Sequence, residues 1–412
     1  MGCNCLREAC IITIGDELLQ GYTIDTNSAW LGKNLNNYNI RVQRKLTIAD
    51  ELDVIQYELS MALDEYDLIF VTGGLGPTLD DVTQTAIKNI LDADLNFDGN
   101  YYNELKQKFA VRKMKMPPNN RSQAMVINGT KVIPNPLGTA RGIHIQRGET
   151  HLFSMPGVPT EMKGMFNEYI IKNYLPKVKK ESIALIRTTG IIESNLAEKN
   201  KEKIDKFSDR YSFSYLPKFT GVDFKIRQDS YCELGLDTVS NYFFEWLSPY
   251  AYGWENETLE SVLGSQLINK GLTLSVAESC TGGLISKRLT DVTGSSSFFL
   301  GGMIAYSNDI KMNQLDVSTE LLKKDGAVSH SVAKVMAESI KVITKSDIGI
   351  ATTGIAGPSG GTDAKPVGLV YIAISYKNNV WVKEFNFFPK RLIHREITSQ
   401  TALNMVRKVI NE

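Results

Sequence analysis

Short apolar runs alternate with helical patterns over the first 174 residues of the chain. Three of these runs predict buried strands, at residues 9–14, 67–72 and 151–157. After the second run, the polar segment TLDD precedes apolar residues at helical spacing, so we expect a helix with Asp80 and Asp81 as N-cap and first-turn residues. Strands that alternate with helices in this way predict an α/β domain with a mostly parallel sheet over residues 1–174.

The pattern changes after residue 174. A basic, polar segment that contains Pro176 follows, and residues 175–250 then show the order strand, helix, strand, strand, helix of a small α+β module. KH modules that bind RNA share this order, but the G-x-x-G loop that clamps the nucleotides is missing, so we interpret the segment as a linking module. Over residues 251–412 strands and helices alternate again, which predicts a second α/β domain.

Composition narrows the class of protein. The 412 residues suffice for two or three domains, and 42% of them are hydrophobic, as in ordinary globular proteins. Basic and acidic residues number 46 each, and a formal net charge of zero disfavours a nucleic-acid binder. No apolar run approaches the roughly 18 residues of a membrane span, and no apolar signal-peptide region is visible at the start. We therefore expect a cytoplasmic protein that acts on small molecules, with no nucleic-acid or membrane partner.

Three of the five cysteines crowd the start of the sequence. Cys3, Cys5 and Cys10 have a C-x-C-x4-C spacing that could hold a metal. No histidine or second cysteine pair accompanies them nearby in the sequence, which favours reduced thiols without a metal.

A glycine-rich segment follows the second predicted strand. Gly73, Gly74 and Gly76 precede Asp80 and Asp81, and such a turn exposes backbone N–H groups beside a helix N-terminus, which suits a phosphate. The two aspartates also suit a divalent metal held against that phosphate. A tight turn with helix capping explains the same residues without a ligand, and the pattern alone leaves both interpretations open.

Other segments are expected at the same edge of the sheet. Asp16 and Glu17 directly follow the first strand, and loops after the carboxyl ends of parallel strands line a ligand crevice. Residues 134–143 and 155–162 add backbone shaped by glycine and proline. The sequence therefore predicts one pocket built from several loops.

A second group of chemically suited residues lies in the C-terminal domain. Ser279 follows a predicted strand in a turn that feeds a helix, so we expect its hydroxyl near helix-terminal N–H groups that could hold an oxyanion. A serine needs a base, and Lys311 offers an amine that can serve when it is desolvated. Cys280 is a rival nucleophile, which His330 or His394 could assist.

The N-terminal domain carries four motifs that resemble those of the CinA family of competence/damage-inducible proteins: GDELLQGYTIDTN, TGGLGPTLDD, PNPLGTARG and PGVPTEM. The family's N-terminal domain is similar to the molybdopterin-binding MoaB/MogA fold. The resemblance implies a pyrophosphatase that acts on ADP-ribose with a divalent metal, for which Asp81 and Asp80 are the candidate ligands and Asp50 a second acid. Arg141 and Ile192 depart from the family pattern, which has proline and glycine there.

The C-terminal domain resembles the same family through AESCTGG, AYSNDIK and TTGIAGPSGGTDAKPVG. The resemblance implies hydrolysis of the amide of nicotinamide mononucleotide, which yields nicotinate mononucleotide and ammonia without a cofactor. Ser279 is then the expected nucleophile, with Tyr306 and Lys311 as acid/base groups. The residues implied in substrate binding are the Thr353–Gly354 turn, Gly282, Gly283, and Arg391 or Arg395 for the phosphate.

The expected partners are therefore pyridine nucleotides, ADP-ribose and a second copy in a homodimer. Two alternatives stay open. The N-terminal domain could be a non-catalytic module that binds molybdopterin or a nucleotide. The whole protein could instead be a competence or DNA-damage partner protein, although no basic patch supports that role.

Overall fold

The structure is a computed structural model that describes residues 7–38, 40–78, 80–175, 183–228 and 234–411. The chain divides into two compact units, residues 1–182 and 183–412. The first unit contains the predicted N-terminal domain, and the second contains the linking module together with the C-terminal domain. No helix of the described residues has the length and apolar character needed to cross a bilayer.

The first unit begins with the alternating pattern that the sequence predicts. Its strands are β1 Glu8–Ile14, β2 Arg41–Ile48, β3 Leu68–Thr72, β4 Leu95–Phe97, β5 Met125–Ile127, β6 Lys131–Ile133, β7 Gly142–Arg147 and β8 Thr150–Met155. Its α-helices are α1 Asp16–Leu19, α2 Thr26–Asn36, α3 Leu52–Glu65, α4 Thr83–Ile90, α5 Gly99–Val111, α6 Pro159–Met165 and α7 Ile171–Tyr174. A 3-10 helix spans Pro118–Ala124 and a π-helix Phe166–Ile170.

The described strands of this unit form a six-stranded sheet in the order β2-β1-β3-β8-β7-β6. The pairs β1–β2, β1–β3 and β3–β8 are parallel, and β7 and β6 add an antiparallel edge. Helices α3 and α4 pack on one face and α2 and α6 on the other, so all five residues of β3 are buried. The loops after β1 and β3 consequently leave the sheet at one edge, as predicted.

The second unit begins with the linking module. It consists of β9 Ile183–Thr188, α8 Glu193–Ile204, β10 Tyr211–Lys218, β11 Gly221–Gln228, α9 Leu236–Trp246 and β12 Ala251–Trp254. Its described strands form an antiparallel sheet in the order β10-β11-β9-β12. The predicted order of strands and helices is confirmed. The sheet also extends past the expected boundary at residue 250, because β12 pairs with β9 and Trp254 stacks on Phe244 at 4.5 Å.

The rest of this unit carries the second alternating pattern. Its helices are α10 Leu259–Lys270, α11 Leu284–Thr290, α12 Asn308–Leu315, α13 Thr319–Asp325, α14 His330–Thr344 and α15 Arg391–Val409, with a 3-10 turn at Ser295–Ser297. Its strands are β13 Leu274–Glu278, β14 Phe299–Ile304, β15 Ile348–Gly354, β16 Leu369–Tyr376 and β17 Asn379–Asn386.

These described strands form a five-stranded sheet in the order β14-β13-β15-β16-β17. β13 is parallel to both of its neighbours, whereas β16 and β17 are antiparallel. Helix α14 covers one face, and α10, α11 and α15 cover the other. The buried strand β13 therefore has a paired strand on each edge and helices on both faces before the chain turns at Ser279.

Candidate active site

Ser279 occupies the turn that follows β13. Its N–H donates to the carbonyl of Thr352 on the parallel neighbour β15 at 3.0 Å, so the turn begins in register with the sheet. Gly282 and Gly283 complete the turn with φ values of 57° and 92°, which glycine adopts without strain. Helix α11 begins at the next residue, Leu284. The predicted order of strand, turn and helix around Ser279 is confirmed.

Lys311 on α12 brings a buried amine to the Ser279 hydroxyl. Its Nζ lies 3.2 Å from Ser279 Oγ, and the residue is only 2% exposed. Nζ also donates to the carbonyls of Ala305 and Tyr306 at 2.8 and 3.4 Å. A neutral amine has two hydrogens and one lone pair, so these carbonyls can take the hydrogens while the lone pair faces the hydroxyl.

The surroundings of Lys311 favour this neutral form. Burial lowers the pKa of Lys311 below its ordinary value of 10.5, because water no longer solvates the ammonium ion. No carboxylate of the described residues contributes a compensating attraction. A lysine that loses its proton more readily can act as a general base toward the serine.

The rival nucleophile Cys280 is poorly placed for catalysis. It is 7% exposed, and burial raises the pKa of its thiol to about 12, so the reactive thiolate is scarce. The ring nitrogens of His394 lie 3.1 Å from the Gly368 carbonyl and 3.5 Å from Thr398 Oγ1. His330 is exposed at the start of α14. This geometry favours Ser279.

Glu278, the last residue of β13, holds the turn from behind and is fully buried. Its Oε2 accepts the N–H groups of Gly283 and Ile285 at 2.9 and 3.2 Å. Its Oε1 accepts the N–H and the hydroxyl of Ser286 at 2.8 and 2.7 Å. The expectation that these helix-terminal N–H groups hold an oxyanion is therefore wrong, because Glu278 occupies them. The missed signal was a lone acid directly before Ser279 in an otherwise uncharged strand.

Two arginines of α15 contact residues of the site, Arg395 at the turn itself and Arg391 at Tyr306. Arg391 donates from Nη2 to Tyr306 Oη at 2.9 Å and from Nη1 to the Gly357 carbonyl at 3.3 Å. Arg395 donates from Nε to the Thr281 carbonyl at 3.0 Å. Its two terminal nitrogens have no acceptor within the part of the chain that the structure describes. Both expected arginines thus lie at the site, and Arg395 keeps the edge of its guanidinium available for a phosphate.

Thr353 and Gly354 end strand β15 and do not form the turn that we expected. Thr353 is 1% exposed, and its hydroxyl donates to the carbonyl of Ala327 at 2.7 Å. The difference arises because antiparallel pairing with β16 continues through Gly354. Thr353 therefore anchors the segment that leads into α14, and substrate contact through this pair stays a prediction.

In the first unit, Asp81 closes the glycine-rich loop that follows β3. Its Oδ1 accepts the N–H of Gly76 at 2.7 Å, and its Oδ2 accepts the N–H of Thr78 at 2.8 Å and also its hydroxyl. At the start of the loop, the N–H of Gly73 donates to the Met155 carbonyl at 3.0 Å. The loop is thus tied to the neighbouring strand at one end and to its own aspartate at the other.

Helix α4 begins later than the sequence predicts. It starts at Thr83 with Val82 as its N-cap, and no side chain caps it. The N-cap and first-turn roles expected for Asp80 and Asp81 are wrong, because Asp81 turns back onto the loop. A Cβ at Gly74 would lie 2.1 Å from Thr83 Oγ1, so this close approach of loop and helix requires glycine.

Comparisons with known proteins cover both units. The family model "CinA C-terminal domain" matches residues 256–410, and the model "Probable molybdopterin binding domain" matches residues 10–177. A competence-damage inducible protein of Caldicellulosiruptor saccharolyticus is 40% identical over 97% of this chain and 98% of its own length. The chain belongs to the CinA family. A CinA-like protein of Thermosipho melanesiensis is 36% identical over 98% of this chain and 100% of its own.

A solved structure is also similar to part of the chain. The crystal structure of a competence/damage inducible protein of Agrobacterium tumefaciens is 40% identical, covers 38% of this chain and 98% of that chain, and has a TM-score of 0.36. The family resemblance and the α/β fold class that the sequence predicts, with a molybdopterin-binding-like domain before a CinA C-terminal domain, are confirmed.

Among the residues that the structure describes, no complete ligand set is assembled for the divalent metal implied for the N-terminal domain of this CinA protein. Asp16 N–H donates to Asp50 Oδ2 at 3.0 Å, and Asp50 N–H to Asp16 Oδ1 at 3.4 Å. Burial raises the pKa of Asp50, and the nearby carboxylates of Asp16, Glu17 and Asp80 add to this effect. Within the described residues, no three or more His, Cys, Asp or Glu side chains are grouped as a metal requires. The metal stays a prediction.

The N-terminal cysteine cluster is described only in part. Cys3 and Cys5 lie outside the described residues. Cys10 lies in β1 and is fully buried, and burial raises the pKa of its thiol to about 11. A buried thiol of this kind belongs to the core of the sheet.

A cavity of about 530 Å³ adjoins the glycine-rich loop of this CinA chain. Its lining includes the loop itself, Asp81 and three cationic residues, Arg121, Lys131 and Arg141. Arg141 replaces the proline of the family pattern, and its guanidinium binds Asp98 at 2.7 Å and lies 3.8 Å from the Tyr101 ring centre. The size and the basic lining suit an anionic, nucleotide-sized ligand.

Proposed function

We propose that the C-terminal domain hydrolyses the carboxamide of nicotinamide mononucleotide. The observation that carries this proposal is the placement of the buried Lys311 Nζ 3.2 Å from Ser279 Oγ, with no carboxylate of the described residues paired to the lysine. This is the arrangement of a serine nucleophile with an amine as its base. The pyridine substrate comes from the resemblance to the CinA family, whose membership the relatives support.

The reaction proceeds in two balanced steps. Neutral Lys311 accepts the Ser279 proton as Oγ attacks the amide carbon, and the amine then returns a proton to the leaving nitrogen, which departs as ammonia. Water next attacks the acyl-serine ester while the same lysine accepts a proton from it, and the lysine then returns this proton to Ser279 Oγ as the product leaves as a carboxylic acid. One water is consumed for each amide bond broken, the acid passes its proton to ammonia to give a carboxylate and ammonium, and no oxidant or cofactor is needed.

Substrate binding falls to the arginines and Tyr306. Arg395 has two terminal nitrogens available for a phosphate, whereas Arg391 orients the exposed Tyr306 through its hydroxyl. Guanidinium groups match phosphate geometry with two parallel hydrogen bonds. We therefore assign the phosphate to Arg395 and a supporting role to Arg391.

Product analysis of the full chain tests this function. Nicotinamide mononucleotide, nicotinamide riboside and nicotinamide are incubated separately, and ammonia and the carboxylate product are measured. We expect turnover of the mononucleotide, with a large rise in KM for the riboside because it lacks the phosphate. Absence of ammonia from all three compounds would contradict the proposal.

For the N-terminal domain we propose a pyrophosphatase that acts on ADP-ribose with a divalent metal. The cavity beside the glycine-rich loop is lined by Arg121, Lys131 and Arg141, and these cationic side chains support a ligand that carries phosphates. The alternative, a non-catalytic molybdopterin- or nucleotide-binding module, uses the same cavity. Formation of AMP from ADP-ribose, with and without added Mg²⁺ or Mn²⁺, separates the two: binding without AMP supports the alternative.

The remaining expectations concern the location, the oligomeric state and the partners of the protein. A cytoplasmic location, a homodimer and the absence of a nucleic-acid partner stay predictions. The competence or DNA-damage role stays an alternative that only the names of the relatives favour. Light scattering of the purified chain tests the homodimer. A DNA-binding assay tests the absence of a nucleic-acid partner and the DNA-damage alternative.

A further inference from the structure

A buried carboxylate that takes no part in the proposed reaction lies directly before the nucleophile. Glu278 is fully buried and accepts four hydrogen bonds, three from N–H groups and one from the Ser286 hydroxyl. A single helix cap commonly satisfies one or two N–H groups. Four donors that converge on one buried carboxylate fix the whole path of the chain from Ser279 to Ser286.

The backbone of the same residue is tied to the segment that carries the base. The Glu278 carbonyl accepts the N–H of Ala305 at 2.8 Å. The Ala305 carbonyl in turn accepts a hydrogen bond from Lys311 Nζ at 2.8 Å, and that Nζ lies 3.2 Å from Ser279 Oγ. Glu278 therefore joins the nucleophile turn through its side chain and the lysine segment through its backbone.

The neighbouring strand leaves room for this arrangement. A Cβ at Gly302 on β14 would lie 2.2 Å from Ser286 Oγ, the hydroxyl that donates to Glu278. Any larger residue at position 302 would push that hydroxyl away from the carboxylate. Residues of β13, α11 and β14 thus pack together around the buried carboxylate of Glu278.

We propose that Glu278 is the positioning residue of this site, which aligns Ser279 Oγ with Lys311 Nζ through the turn that it holds. The proposal rests on the proposed deamidase function. An ionised carboxylate only accepts hydrogen bonds, so it matches four donors, whereas a glutamine at the same place would point N–H donors at N–H donors. The charge is therefore needed for the geometry of the turn.

The sharpest test compares two serine-to-alanine variants, one at Ser286, which donates to Glu278, and one at Ser275, which contacts Ser346 instead. Ser286→Ala removes one of the four donors. Ser275→Ala, at the other end of β13, removes a buried hydroxyl that lies 2.7 Å from Ser346 Oγ, far along the strand from the turn. We expect Ser286→Ala to lower kcat about 3- to 10-fold with little change in KM. Ser275→Ala should lower the melting temperature while kcat and KM stay near the wild type.

Glu278 itself is tested by two substitutions. Glu278→Gln should lower kcat about 100-fold or more, and Glu278→Asp, which keeps the charge on a shorter side chain, should recover part of the loss. Circular dichroism shows whether each variant folds, and if Glu278→Gln does not, the serine pair decides. Equal kcat losses in Ser286→Ala and Ser275→Ala, or none in either, would overturn the positioning role.

A second readout separates this proposal from the function on which it rests. The rate at which a fluorophosphonate modifies Ser279, followed by intact mass, reports the reactivity of the hydroxyl without any pyridine substrate. We expect slower modification in Ser286→Ala and Glu278→Gln and an unchanged rate in Ser275→Ala. If the wild type is modified at Ser279 but releases no ammonia, the deamidase function fails, and these rates alone support or overturn the role of Glu278. If Ser279 of the wild type is not modified, both proposals fail.

Discussion

Two turns of this protein use the same device for different ends. Each follows a buried strand between two parallel neighbours, β3 in the first unit and β13 in the second, and each is held by one carboxylate. Asp81 follows its loop and stands in the lining of the cavity. Glu278 precedes its turn and is fully buried, away from the reacting side.

The two carboxylates differ in the side of the turn that they occupy. Glu278 accepts the N–H groups of Gly283, Ile285 and Ser286 from the buried side of the second turn. Ser279 and Lys311 can therefore react with each other and with substrate. In the first unit the carboxylate belongs to the pocket wall, and no described serine and lysine pair of this kind accompanies it. The second turn is suited to covalent catalysis, whereas the first adjoins a cavity whose cationic side chains Arg121, Lys131 and Arg141 suit an anion.

The largest effect should come from removing the reacting pair. Ser279→Ala and Lys311→Ala should each lower deamidase turnover by about a thousandfold or more, and the double variant should be scarcely worse, because the two groups act as one unit. Steady-state ammonia release measures all three. Cys280→Ala is the control and should keep most of the activity, whereas a loss there with activity retained in Ser279→Ala would make the cysteine the nucleophile.

A smaller effect is expected from Asp81→Asn, confined to the first unit. One acceptor becomes an N–H₂ group that faces the N–H of Gly76 or Thr78, so the loop should open and ADP-ribose affinity should fall about tenfold or more. Any pyrophosphatase activity should be lost, while deamidase turnover stays unchanged. Calorimetric titration measures the affinity. Asp64→Asn removes a charge from an exposed position on α3 and is the matched control. Unchanged ADP-ribose binding and turnover in Asp81→Asn would contradict this role.

The dependence of turnover on pH tests the state of Lys311. A protonated amine cannot accept the serine proton, so kcat should rise about tenfold per pH unit up to the lowered pKa of Lys311 and then level off. Because burial lowers that pKa, the plateau should begin below the ordinary lysine value of 10.5. Initial rates across pH measure it, and a rate that is flat from acidic to alkaline pH would remove Lys311 as the base.

The smallest effect should follow removal of the whole first unit. Ser279, Lys311, Tyr306 and both arginines lie in residues 183–412, so this fragment should keep deamidase turnover within about threefold of the full chain. A fragment that begins at Tyr252 cuts into β12, which pairs with β9, and should be less stable. A folded but inactive 183–412 fragment would mean that the second unit does not contain the complete site.

The sequence predicts regular structure well where periodicity carries the information. Strands Glu8–Ile14 and Leu68–Thr72 lie within one residue of the predicted runs 9–14 and 67–72, because a short continuous apolar run is typical of a buried strand. The N-cap role of Asp81 and the oxyanion role of the α11 N-terminus were wrong, since both depend on which N–H groups a carboxylate accepts in the folded chain. The motifs identify Ser279 and Lys311 as candidates, but only the packed structure shows that Lys311 is buried and that no carboxylate of the described residues pairs with it.

The lowered pKa of the buried Lys311 also affects the free energy of unfolding. A lysine whose pKa is lowered by folding disfavours the native state wherever the unfolded chain holds the proton more tightly, by about 1.4 kcal/mol for each pKa unit. This cost is full below the pKa of the folded protein and disappears as the pH rises toward 10.5. The chain therefore gives up folding free energy at neutral pH to keep a reactive amine. An apolar side chain of similar length at this position, as in Lys311→Met, would raise the stability of the protein at neutral pH and abolish its deamidase activity.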